Sequence, residues 1–151
     1  MKKKDITHTA YFECILQLRN VTQEVVSYVD KEIERNDVHV AEVTELPNGF
    51  DYFLGDTKFL NQLGKRLKAQ FPGDVKTSVR LFTQSKTTSK LVYRTTVLFR
   101  GIPFKVGDKI LIRGKEFEIA RLSTKVTIKD AEKGKQQFIT YEDLLKEGRT
   151  A

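Results

Sequence analysis

Apolar residues Phe12, Cys14, Leu16 and Leu18 alternate with Glu13, Ile15, Gln17 and Arg19, a period of two that predicts a half-buried strand. The period then changes. After Thr22, a candidate N-cap, Val25, Val26, Val29 and Ile33 recur at helical spacing, and Glu24, Lys31, Glu32 and Glu34 take the other sides. A helix is expected to about Asn36. Residues 38–46 read as a strand, Pro47-Asn48-Gly49 as a turn and residues 50–54 as the hairpin partner. Gly55-Asp56-Thr57 opens a second helix with Asp56 as its N-cap. Phe59, Leu60, Leu63, Leu67 and Phe71 fall in one arc of it, Lys58 and Lys65 project almost opposite, and Pro72-Gly73 ends it. Val75, Thr77, Val79 and Leu81 then alternate with Lys76, Ser78 and Arg80. After a loop at 84–90, Tyr93, Thr95, Val97 and Phe99 alternate with Arg94, Thr96 and Arg100. This predicts a long hairpin with an apolar row facing inward, Tyr93 included, and a basic face.

The resulting order, β-α-β-β-α-β-β, predicts an α+β domain over residues 8–100: an antiparallel-rich sheet with two amphipathic helices covering one face. Gly101-Ile102-Pro103 breaks the pattern and marks a boundary. Beyond it only short strands are expected, at 109–112, 116–122, 126–129 and 136–140, with turns at Gly114 and Lys133-Gly134. Val106-Gly107-Asp108 is a turn of the kind that opens SH3-like barrels. Residues 101–145 are accordingly expected to form a small SH3-like β-barrel domain.

Length and composition restrict the chemistry. The 151 residues suit one ordinary domain or two small ones. The single cysteine, Cys14, excludes an intramolecular disulfide or a cysteine-based zinc cluster within the chain, and the two histidines, His8 and His39, stand far apart. No structural metal and no cofactor are expected, because no phosphate-binding loop or dinucleotide turn occurs. Cys14 lies in a strand that reads as buried, and His39 sits between Val38 and Val40 in another. No nucleophile, base and orienting group come together, so neither catalysis nor a small-molecule substrate is expected. No apolar run approaches the ~20 residues that span a bilayer, and Met1-Lys2-Lys3-Lys4 leads into a polar stretch rather than a signal peptide. The expected setting is the cytoplasm, without membrane contact.

Charge changes the picture further. The net charge of +7 is unevenly spread: residues 5–55 carry 3 basic and 10 acidic side chains, whereas residues 56–100 carry 10 basic and 2 acidic. A third this basic points to a polyanionic partner, most simply a nucleic acid. Candidate RNA contacts are Lys58 and Lys65 on the second helix, Lys76, Arg80 and Arg94 on the hairpin, and Lys86 and Lys90 flanking Thr87-Thr88-Ser89 in its loop. With Tyr93 expected inward, recognition of phosphate and shape in folded RNA is favoured over base stacking. The alternative is a protein-interaction module that grips basic proteins through its acidic first third, residues 5–55.

Several stretches taken together resemble a known family: Tyr11-Phe12-Glu13-Cys14-Ile15-Leu16-Gln17-Leu18-Arg19, Gly49-Phe50-Asp51-Tyr52-Phe53-Leu54 with the helix after it, residues 93–99, and Val106-Gly107-Asp108. In this order and spacing they are similar to the central region of the large-ribosomal-subunit export adaptor family, named for nonsense-mediated decay protein three, and its archaeal relatives, over residues 11–143. The resemblance implies a ribosome-associated factor that acts on the large subunit in biogenesis or quality control. Its implied partners are ribosomal RNA and large-subunit proteins. The sequence departs from the family in having no CxxC zinc pairs and no Leu-rich export signal after Asp143. An archaeal-type setting without nuclear export is therefore expected.

Overall fold

The structure, a computed structural model, describes residues 11–84 and 91–150. Its first part follows the expected order: β1 (Cys14–Arg19), α1 (Gln23–Arg35), β2 (Val40–Leu46), β3 (Gly49–Leu54), α2 (Thr57–Gln70), β4 (Gly73–Gln84) and β5 (Leu91–Gly101). These strands form one sheet in the order β2-β3-β1-β5-β4. Three of the pairings are antiparallel hairpins or near neighbours; β1 and β5, far apart in sequence, run parallel, with Cys14 beside Thr95 and Leu18 beside Phe99.

Both helices pack on one sheet face. Cys14, Leu16 and Leu18 of β1, Tyr52 and Leu54 of β3, and Val97 and Phe99 of β5 meet Val25, Val29 and Ile33 of α1 and Phe59, Leu60, Leu63 and Leu67 of α2 in a single core. The Asp56 carboxylate accepts from the Phe59 backbone N–H at 2.9 Å and fixes the start of α2. A Cβ at Gly64 would lie 3.1 Å from Cγ1 of Val97, so glycine there lets α2 settle onto β5. Between the helices, Glu32 is buried and ion-paired to Arg66 at 2.6 Å and to Arg35 at 2.9 Å.

The second part contains β6 (Lys109–Ile112), β7 (Lys115–Leu122), β8 (Val126–Asp130), β9 (Gln136–Ile139), a helix α3 (Tyr141–Glu147) and β10 (Gly148–Thr150). The turn read at Val106-Gly107-Asp108 is present: Gly107 has φ +95°, which glycine adopts freely, and the Asp108 carboxylate accepts from the Lys105 N–H at 2.8 Å. The five strands form an antiparallel sheet in the order β10-β6-β7-β8-β9. The expected closure of an SH3-like barrel is not seen: among the described residues no pairing joins β9 to β10. The helix was not foreseen. It carries Tyr141 and Leu144 onto the core formed by Ile110, Ile119, Val126 and Ile128, and it begins at Thr140, whose hydroxyl accepts from the Asp143 N–H at 3.1 Å. Lys76 of β4 reaches Glu142 of α3 at 3.1 Å and ties the two parts together.

Candidate nucleic-acid interface

The β4–β5 ladder runs from Gly73 opposite Gly101 out to Gln84 opposite Leu91. Its neighbours stop earlier. β1 begins at Cys14, beside Thr95, and α2 begins at Thr57, whose N–H and hydroxyl both donate to Oε1 of Glu13 at 2.9 and 3.1 Å. Beyond Thr95 the hairpin therefore projects as two strands, without a third strand or helix upon it among the described residues. The apolar row continues past the core it was expected to fill: Val79 is 59% exposed, Leu81 56% and Tyr93 53%. Tyr93, expected inward, is thus a surface aromatic. Element lengths carried this signal, since a 14-residue helix covers ~21 Å and a 12-residue strand extends ~40 Å.

On the other face of the hairpin, Arg80 stands directly across from Arg94. The Arg94 guanidinium lies 3.9 Å from the centroid of the Phe12 ring and donates to the Phe12 carbonyl at 3.4 Å, while Phe12 meets Phe53 edge-on at 5.0 Å. Arg94 is thereby built into the sheet surface, and Arg80 is exposed beside it. Lys76, four residues before Arg80 on the same face of β4, is engaged with Glu142. Lys58 and Lys65 are exposed on the outward side of α2, across the sheet from Arg80. Lys86 and Lys90 lie outside the described residues. The described candidates therefore divide between two opposite surfaces: Arg80, Arg94 and Lys76 on one, Lys58 and Lys65 on the other.

The groups that could serve chemistry are occupied structurally. Cys14 is fully buried, its thiol donates to the Leu54 carbonyl at 3.4 Å, and burial pushes the thiol up to about 11. His39 has Nε2 3.0 Å from the Tyr11 carbonyl. Among the described residues no group of three or more His, Cys, Asp and Glu side chains could hold a metal ion, and no helix is long and apolar enough to cross a membrane.

Two helices cover one face of a five-stranded sheet whose β4–β5 hairpin projects at one edge, which defines an α+β module. The second domain of the NMD3 family matches residues 11–100, from just before β1 to nearly the end of β5, and the chain belongs to this family. The family is known as an export adaptor of the large ribosomal subunit. No curated protein matches the chain.

Proposed function

We propose that this protein is a cytoplasmic, non-catalytic factor that associates with the large ribosomal subunit by binding ribosomal RNA through the β4–β5 hairpin. The observation that carries this reading is the placement of Arg80 opposite Arg94 on a projecting ladder. The pair concentrates positive charge on this face, with Arg80 exposed and Arg94 held over the Phe12 ring. An RNA backbone laid along it would release counterions as each phosphate is neutralised. The exposed Tyr93 beside Leu81 supplies a flat apolar surface on the reverse of the same hairpin, so sugar and base contacts join the phosphate contacts expected from the sequence. Buried Cys14 and engaged His39 support a role without catalysis. For the protein-binding alternative, Glu32 is taken up in the α1–α2 seam, whereas Glu24, Glu34, Glu42 and Glu45 are exposed.

The test is binding of a labelled large-subunit ribosomal RNA fragment across a salt series, followed by co-sedimentation with large subunits before and after salt-stripping of their proteins. Arg80→Glu should weaken RNA binding and lower the salt slope by about one. Wild-type affinity and slope in Arg80→Glu, with large-subunit association lost on protein stripping, would replace this reading with the protein-contact one.

A further inference from the structure

The second sheet carries a surface that neither the hairpin nor the family match accounts for. Strand β9 reads Gln-Gln-Phe-Ile, and its Ile139 packs on the core while Phe138 turns to the outer face with 72% of its surface exposed. Register places its surroundings. Phe138 pairs with Thr127 of β8, and Thr127 pairs with Arg121 of β7, so Arg121, Thr127 and Phe138 form one row across the outer face. Thr127, the middle residue of the row, is buried. Lys125, in the exposed turn before β8, holds its ammonium 5.8 Å from the centroid of the Phe138 ring. The next row along is Lys109, Glu118, Lys129 and Gln136, so the first carboxylate reached along this face lies between two lysines.

An outward phenyl ring on a short edge strand loses the hydrophobic stabilisation that burial would bring, and it stands where an edge needs protection from pairing with other chains. Flanking cations give the ring a use. A base stacked on an aromatic side chain places its own phosphate several ångströms away, within reach of Lys125 or Arg121. We propose that the outer face of the second sheet is a single-stranded RNA site, in which Phe138 stacks one unpaired base and Arg121 and Lys125 hold its flanking phosphates. The cations beside the ring, Lys125 and Arg121, are complementary to a polyanion, which is why an RNA segment is favoured over an apolar protein segment, although Asp143 and Glu147 share a cleft with Phe138. The site lies outside residues 11–100 and stands independently of the hairpin reading.

The full chain would be titrated into an unpaired RNA of about ten nucleotides, within the footprint of small single-strand-binding folds, carrying one fluorescent 2-aminopurine. Stacking quenches this base, so binding should dim its emission. Phe138→Ala should remove the quench and weaken binding about ten-fold, in the range of one stacked base. Phe138→Trp should retain both. Phe138→Leu keeps an apolar side chain without a π-face and should behave as the alanine variant. Charge reversal of Arg121 and Lys125 together should weaken binding and flatten its salt dependence. Thermal unfolding of each variant guards against misfolding, and the tryptophan variant keeps the test alive should the smaller side chains destabilise the edge. Arg80→Glu should leave this quench intact, so failure of the hairpin reading and failure of this one are told apart. Wild-type binding in Phe138→Ala, or full retention in Phe138→Leu, would overturn the proposal and leave the face to a protein partner.

Discussion

Arg66 of α2 reaches across to Glu32 of α1, its Nη1 2.6 Å from Oε1, and Glu32 is buried while Arg66 remains nearly half exposed. The carboxylate is thus held by a cation that keeps part of its hydration, with Arg35 as second partner at 2.9 Å. Arg66→Ala should cost about 1–2 kcal/mol, below the range for a fully buried pair because Arg35 stays in place. Glu32→Lys should cost more, since it buries a cation beside two others. Urea unfolding of both variants measures this. Equal or negligible losses would show that the pair does not hold the helices together. Glu32→Lys is for the same reason unsuited to probing an acidic binding face; Glu34→Lys, at an exposed position, serves that purpose.

The division of cations between two surfaces makes a sharp comparison possible. Arg80→Glu on the hairpin should weaken binding of large-subunit RNA several-fold with a salt slope smaller by about one. The double variant Lys58→Glu with Lys65→Glu, on the outer side of α2, should bind nearly as wild type. Both should unfold within about 0.5 kcal/mol of the parent, as exposed positions usually do. A larger effect from the α2 pair would move the interface to the helical face.

Cys14 should be silent toward thiol reagents in the native protein. Its side chain is fully buried and burial pushes the thiol up to about 11, so the reactive thiolate is scarce at neutral pH. Labelling with a chromogenic disulfide should follow unfolding in urea, tracking the loss of structure. Rapid native labelling would contradict the packed β1–β3 core.

Asp130 closes the second sheet's outer turn. Hydrogen bonds from Lys115 at 2.7 Å and from the N–H groups of Glu132 and Lys133 hold its carboxyl down to about 2, from 3.8. A depressed carboxyl stabilises the fold above its ordinary pKa, and that contribution is lost as pH falls from about 4 toward 2. Acid unfolding of the second sheet, followed by the circular dichroism of the full chain, should begin in this window. Asp130→Asn should be less stable at neutral pH and lose part of the acid dependence. An unchanged acid transition in Asp130→Asn would remove this linkage.

Much of the architecture is determined by the sequence alone, because the informative patterns are local. The alternation at Phe12–Leu18, the helical arc of Phe59, Leu63 and Leu67, the Asp56 cap and the Gly107 turn each depend on neighbours a few residues away. The family likeness rested on such positions, and the match over residues 11–100 agrees with it. Tertiary structure decided the remainder. The parallel pairing of β1 with β5 is long-range and leaves no periodic trace. The same is true of where the core ends: Tyr93 and Val97 share one alternation, yet only Val97 has α2 above it. Arg80 and Arg94 look alike in sequence, and the ring of Phe12 separates them by taking one guanidinium into the sheet surface. Phe138 reads as one more strand apolar residue until β8 and β9 pair and turn it outward beside Lys125. A residue's type and spacing state which face it belongs to; whether anything lies over that face depends on elements distant in the chain, and those elements decided which side chains stay exposed.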